Sequence, residues 1–251
     1  MLPAAIRMDQ PCGMICNLDK ERQAMSIEAL SDGQIIEAWK RNASPWTTAV
    51  RAGEIESRRL VTDRAILDAV LARRPQTVID LGCGEGWLAL ALQQNGIEVT
   101  AVDVVPALAL AAKQAGVVDS RVMSYEEIAE GRLIVSADVV VCNFSLLGKE
   151  SVDGLLRAVP TLLKPDGALI VQTLHPLVAC GDLPYVDGWR EGSWAGFGPA
   201  FSDAPPWYFR TLGTWLELIR SSGLTLSALQ EPLDPRTGRP ASIVFHAHRI
   251  E

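Results

Sequence analysis

The sequence predicts a doubly wound α/β fold, a mostly parallel sheet with helices on both faces. Three features predict it. From Thr77 onward, short apolar runs of strand length alternate with helical periods, the pattern of repeated βαβ units. The run Asp138–Cys142 (DVVVC) lacks polar alternation, as expected of a strand buried on both faces of a parallel sheet. A third run, Val78-Ile79-Asp80-Leu81, passes into glycines at 82, 84 and 86 and then into an apolar helical stretch.

The elements follow in order. Residues 1–27 have no clear period and are expected to form a loose leader; Met8, Met14 and Met25 could each serve as an alternative start. Residues 28–75 are expected to form an N-terminal helical cap. Ser31-Asp32 is an N-cap signal for a helix over Gln34–Arg41, with Ile35, Ile36 and Trp39 on one face and Pro45 as the stop within the break Asn42–Trp46. A second helix is predicted over Glu54–Arg73, where Leu60, Ile66, Leu67, Val70 and Leu71 fit a 3.6 period, with Pro75 ending it. Residues 76–251 form the main domain. Its strands are predicted at Val78–Leu81, Glu98–Val102, Arg121–Ser124, Asp138–Cys142, Ala168–Thr173, Leu224–Gln230 and Ser242–His248. Its helices are predicted at Trp87–Gln94, Pro106–Gln114, Glu126–Glu130, Ser151–Leu163 and Leu212–Ser221, with a turn at Lys164-Pro165-Asp166-Gly167.

An insertion over 176–211 interrupts the alternation and holds eight of the fifteen aromatic residues, interleaved with glycine and proline. A connection this long in a compact domain is uncommon unless it has a function. It is either a satellite core under a long loop or a lid whose aromatics close over an organic substrate.

Composition narrows the function. The formal charge is −7 and no basic stripe is visible, which disfavours nucleic acid, whose binding is driven by phosphate neutralisation. No run of 18 apolar residues occurs, so no membrane partner is expected. Asp9, Gln10 and Pro11 stand where a signal peptide would carry its apolar run, so the chain is expected to be cytoplasmic. Five dispersed cysteines read as reduced thiols, and no metal site is expected. Oligomeric state is left open.

The glycine turn is the strongest chemical signal. Glycine permits φ > 0 and lets a ligand approach the backbone without meeting a Cβ. The turn lies at the carboxyl end of the first strand, where open α/β sheets bind ligands. Asp103, seventeen residues after Gly86, ends the second strand, where a carboxylate can accept from both hydroxyls of a ribose. A dinucleotide fingerprint would need a small residue at 87, and Trp87 disfavours a pyrophosphate there. Asp80 would repel a phosphate and could hold an ammonium. A ligand with a ribose, a cationic amino-acid portion and no phosphate fits both facts; S-adenosylmethionine is one.

On these residues the chain resembles the class I S-adenosylmethionine-dependent methyltransferase superfamily over about Thr77–Thr173, in particular the subset acting on small molecules such as quinone precursors. The resemblance implies a Rossmann-like methyltransferase fold with seven strands, the last antiparallel. It implies that Asp80, Gly82, Cys83, Gly84, Gly86 and Trp87 line the amino-acid part of the cofactor, that Asp103 and Val104 take the ribose, and that Tyr125 and Glu126 lie near the adenine. Asn143, at the end of the fourth strand, corresponds to a substrate-facing motif and is expected to touch cofactor or substrate.

Methyl transfer is an in-line displacement in which the protein mainly aligns the reactants. His175 is the candidate general base, the alternative being a histidine that ties down a loop. Asn143 could orient a hydroxyl or the methyl group. Arg51, Arg58 and Arg210 could pair with a substrate carboxylate, and Trp207 and Tyr208 could contact a partly aromatic or apolar substrate. Trp39, Asn42 and Trp46 read either as a cap over the cofactor or as packing. The expected function is methyl transfer to a small organic acceptor. A nucleic-acid methyltransferase, a nicotinamide-dependent oxidoreductase and a non-catalytic S-adenosylmethionine-binding protein are the alternatives.

Overall fold

The computed structural model describes residues 30–250; the expected leader, with Cys12 and Cys16, lies outside them. Helix α1 runs over Asp32–Arg51, with a capping box in which Ser31 and Gln34 satisfy each other's backbone N–H. Pro45 does not stop it, contrary to the expected break at 42–46. A proline inside a helix costs about 3 kcal/mol. Here packing offsets that cost: Ala38, Asn42, Ala43 and Ala49 are buried, and Trp39 meets Trp46, two turns on, edge to face at 5.0 Å.

The predicted second helix is divided. A π turn, Arg58–Thr62, precedes α2, Asp63–Leu71. The chain then alternates: β1 Thr77–Leu81, α3 Trp87–Gln94, β2 Glu98–Asp103, α4 Pro106–Ala115, β3 Asp119–Val122, α5 Tyr125–Ala129, β4 Ala137–Asn143, α6 Glu150–Leu162 and β5 Leu163–Thr173. Within the insertion lie α7 Pro176–Ala179 and a small antiparallel pair, β6 Gly188–Arg190 with β7 Trp207–Phe209. Helix α8 Leu212–Ser221, β8 Leu224–Gln230 and β9 Ile243–Arg249 complete the fold.

The main sheet has seven strands in the order β3-β2-β1-β4-β5-β9-β8. The first five are mutually parallel and β9 is antiparallel to β5 and β8. The order reverses between β1 and β4, so the crevice at their carboxyl ends is the expected ligand position. One sheet face packs on α5, α6 and α8 through Ile128, Leu155, Leu156, Trp215 and Ile219. The other packs on α2, α3 and α4 through Ile66, Val70, Leu88, Leu92 and Ala112. Each such large apolar side chain, fully buried, contributes roughly 1.5–3 kcal/mol. The turn predicted at 164–167 lies inside β5: pairing jumps from Ala137–Leu163 to Val139–Ala168, and Asp166 takes a φ of 63°.

Candidate functional site

A cavity of about 460 Å³ opens at the carboxyl ends of β1, β2 and β4, under α1 and the insertion. Its floor is the glycine turn. Gly82 has φ +75°, and a Cβ there would stand 2.3 Å from Ser145 Cβ and 2.7 Å from the Tyr125 hydroxyl. Gly86 has φ +87°, and a Cβ would press on Ala112 of α4 at 2.6 Å. The first glycine keeps the turn close to β4, and the last lets α3 and α4 pack.

Three buried carboxylates surround this turn. Asp103 accepts the Gly84 N–H at 2.9 Å through Oδ2 and the Val105 N–H at 2.8 Å through Oδ1. Each oxygen keeps further acceptor capacity. Burial pushes Asp103 up to about 6, against the pull of those two N–H groups. Asp80 is 1% exposed, and its Oδ2 is buried with no hydrogen-bond partner among the described residues. Burial, with Asp103 and Glu85 nearby, pushes it up to about 8. Glu85 receives the Trp46 indole N–H at 3.1 Å on Oε2, while Oε1 is buried without a partner among the described residues. Burial raises it too, offset by Arg58 and by that indole N–H. Burying three carboxylates around one turn is costly unless cationic or hydrogen-bond-donating groups meet them.

Among the described residues, Arg58 is the one basic side chain lining the cavity. The π turn carries it over Trp87, 4.9 Å from the ring centroid, with Trp46 at 5.8 Å. Its Nε donates to Asp63 at 3.0 Å, and Nη2 is buried with no partner among the described residues. A π turn of this kind is a frequent mark of functional sites.

The structure brings together at the cavity Asp80, Gly82, Cys83, Gly84, Trp87, Asp103, Val104, Tyr125, Glu126, Asn143, Arg58 and Trp207. The single hydroxyl hydrogen of Tyr125 is shared between the Leu81 and Ser145 carbonyls, at 3.4 and 3.3 Å, which braces the turn. Cys83 is buried, its thiol pushed well up by burial and the neighbouring carboxylates, which makes it an inert wall. Gly86 supports the turn from behind through its contact with α4.

Four expected site residues lie elsewhere. Arg210 is buried and donates to the Gly148 and Lys149 carbonyls and to Asp153, so its guanidinium braces the start of α6. Tyr208 packs against Trp189, Lys149 and Arg210 and is not among the cavity-lining residues. Arg51 is exposed and donates to the Ala111 carbonyl at 3.0 Å. His175 is buried, paired through Nε2 with Glu231 at 2.7 Å, and also does not line the cavity. Its neighbours Thr173 and Leu174 do.

Over the cavity stand aromatic rings from two distant segments. Trp39 meets Trp194 at 5.8 Å, Trp194 meets Phe197 and Phe201 at 5.2 and 4.6 Å, and Trp46 stacks with Phe197 at 6.3 Å. Glu85 was absent from the sequence-based candidates. Its place between two motif glycines was the available signal, but its indole partner lies 39 residues upstream and is joined to it only by the fold.

Comparison with known proteins agrees with this geometry. The methyltransferase domain family matches residues 55–228. Over 103 residues the chain is 38% identical to the ubiquinone biosynthesis O-methyltransferase of Xanthomonas axonopodis pv. citri, an alignment covering 39% of this chain and 43% of that one. The chain thus matches less than half the length of these curated relatives. Among solved structures, an S-adenosylmethionine-dependent methyltransferase from Mesorhizobium loti superposes with a TM-score of 0.55 at 23% identity, covering 73% of this chain and 98% of that one. The 1,6-didemethyltoxoflavin-N1-methyltransferase of Burkholderia thailandensis superposes with a TM-score of 0.52 at 19% identity, covering 97% and 94%. Glycine turn, acidic strand end and sheet order converge with the family match: the chain belongs to the methyltransferase domain family.

Proposed function

We propose that this protein transfers the methyl group of S-adenosylmethionine to a small organic acceptor that is partly aromatic or apolar and carries no negative charge. The observation that carries the reading is the trio Asp80, Glu85 and Asp103, buried around a glycine turn with only Arg58 beside them. The trio fits a ligand that brings positive charge and hydroxyl donors, and repels one that brings phosphate.

The residues fit this cofactor piece by piece. Asp103 has acceptor capacity for ribose hydroxyls. The unpartnered oxygens of Asp80 and Glu85 suit an ammonium, directly or through water. The unpartnered Nη2 of Arg58 suits the carboxylate of the same amino-acid portion, which places Arg58 with the cofactor rather than with the acceptor. Ser124, Tyr125 and Glu126 edge the cavity at the far end, beside Asp103, where the adenine would lie. When bound, S-adenosylmethionine supplies an electrophilic methyl group on a sulfonium.

The chain's own part is alignment and exclusion of water, which together can lower the barrier by roughly 7–11 kcal/mol. Trp39, Trp194 and Trp207 offer flat apolar walls to an acceptor, and the insertion 176–211 acts as its lid. Among the described residues that line the cavity, Arg58 is the one basic side chain and is assigned to the cofactor, so an anionic acceptor meets Asp32 without a counter-charge from them. His175, held by Glu231 outside the lining, does not reach a nucleophile in this arrangement. Any general base would come from the carboxylates that line the cavity rather than from His175.

Labelled methyl transfer from S-adenosylmethionine to fractionated metabolites tests the reading. Label should enter neutral or cationic aromatic compounds. Binding of the cofactor with no labelled product in any fraction would reduce the protein to a cofactor-binding module. Label in RNA, lost on RNase treatment, would replace the acceptor class.

A further inference from the structure

Gln172 lies in β5 opposite Asn143 of β4 in the parallel register, and it is 1% exposed. Its carboxamide makes three hydrogen bonds. Nε2 donates to the Thr62 carbonyl at 3.0 Å and to Asn143 Oδ1 at 2.8 Å, and Oε1 accepts from the Ser242 hydroxyl at 3.1 Å. The Thr62 carbonyl can only accept, so the nitrogen of Gln172 must face it. That single constraint fixes the rest of the chain. The second Nε2 hydrogen points to Asn143, which must answer with its oxygen. The Asn143 nitrogen then makes no hydrogen bond among the described residues, on a side chain that lines the cavity.

We propose that Gln172 is a positioning residue. It holds Asn143 with its N–H groups toward the cavity and ties that donor to Thr62, the last residue of the π turn that carries Arg58. Gln172 is not a lining residue and acts through Asn143. A donor at the end of β4 binds a lone pair and abstracts no proton. The acceptor therefore presents an oxygen or nitrogen lone pair to Asn143, either on the nucleophile or beside it. One buried carboxamide coordinates the acceptor side with the arginine on the cofactor side. The purpose assigned to Gln172 rests on the methyl-transfer reading; its geometry does not.

Side-chain amide exchange by NMR on the full ¹⁵N-labelled chain tests it without an acceptor. In the wild type the Gln172 amide hydrogens should exchange at least about tenfold more slowly than those of Asn143. Asn143→Asp keeps an oxygen toward Gln172 and should leave its protection within about twofold, whereas Asn143→Leu removes the oxygen and should speed exchange at Gln172 by about tenfold. Gln172→Leu should move the Asn143 side-chain signals toward those of a free asparagine. The proposal is overturned if Asn143 is as protected as Gln172 in the wild type, if Asp and Leu at 143 expose Gln172 equally, or if the Asn143 signals ignore Gln172→Leu. The wild-type comparison alone decides the orientation should a variant not fold. Titration of the same sample with S-adenosylhomocysteine separates the two readings: absence of binding would defeat the methyl-transfer reading and leave the exchange result standing.

Discussion

Asn42 and Ser202, 160 residues apart in sequence, exchange two hydrogen bonds: Asn42 Nδ2 donates to the Ser202 carbonyl at 2.6 Å, and the Ser202 N–H donates to Asn42 Oδ1 at 3.0 Å. Asn42 is buried in α1 and Ser202 belongs to the insertion, so this clasp joins the two segments that roof the cavity. Asn42→Ala leaves the Ser202 N–H without its partner and its carbonyl with the Trp194 indole N–H alone, at 3.1 Å, and should cost about 1–3 kcal/mol locally. Proteolysis of the insertion should accelerate by about tenfold or more, while the main sheet keeps its protection. An unchanged cleavage rate would show that the aromatic contacts alone hold the segment down.

Asp80 gives the folded protein a pH dependence of definite sign. Its folded value of about 8 lies above its ordinary value of 3.8, so between these limits the folded chain holds a proton that the unfolded chain releases. Stability of the ligand-free protein should fall as pH rises from about 4 to 8, with Asp103, at about 6, adding to the lower part of that window. Asp80→Asn should flatten the decline of Tm across the window. A cationic ligand favours the ionised carboxylate, so binding near pH 7 should release protons, visible as a dependence of the calorimetric heat on the buffer's ionisation enthalpy. A Tm that rises across the window in the wild type would contradict this assignment.

Arg58 and Arg210 should separate cleanly. Arg210→Met removes donors from the Gly148 and Lys149 carbonyls and from the half-buried Asp153, and should cost about 2–4 kcal/mol of stability with little change in cofactor affinity. Arg58→Met should weaken S-adenosylhomocysteine binding by about tenfold or more, the loss of one charge-assisted contact, with a smaller change in Tm. Paired thermal melts and titrations of both variants check this. The reverse pattern would return Arg210 to the site.

Gly82→Ala should be among the most damaging small substitutions in the chain. The new methyl would stand 2.3 Å from Ser145 Cβ at a φ of +75°, so the turn or the segment that follows β4 must shift. A loss of about 2–4 kcal/mol in denaturant unfolding is expected, with cofactor binding lost as well. Full stability and affinity in this variant would mean that the turn tolerates a Cβ.

Apart from β5, which starts five residues before its predicted position, and the short elements of the insertion, the strands and helices after Thr77 lie within about two residues of their sequence-based positions, because each is set by local hydrophobic period and by glycine or proline punctuation. The glycine turn and Asp103 were legible for the same reason: contiguous sequence places them at strand ends. What escaped was set by contacts distant in sequence. Pro45 signals a stop locally, yet Trp39, Trp46 and buried alanines carry α1 through it. Arg210 resembles a substrate arginine until Asp153 and two loop carbonyls are seen around it. His175 opens the insertion as expected, but Glu231, 56 residues away, takes its Nε2. Glu85 and Gln172 carry no distinguishing local pattern, since their partners Trp46, Thr62 and Ser242 come from other elements.

The acidic glycine turn is proposed to hold S-adenosylmethionine. Isothermal titration of the wild type and of Asp103→Ala with S-adenosylhomocysteine, with NAD as control, tests it most directly. Dissociation constants should lie in the micromolar range for the wild type and weaken about tenfold or more in the variant, with no binding of NAD. Equal affinity in the two proteins, or binding of NAD in place of the adenosyl compound, would contradict it.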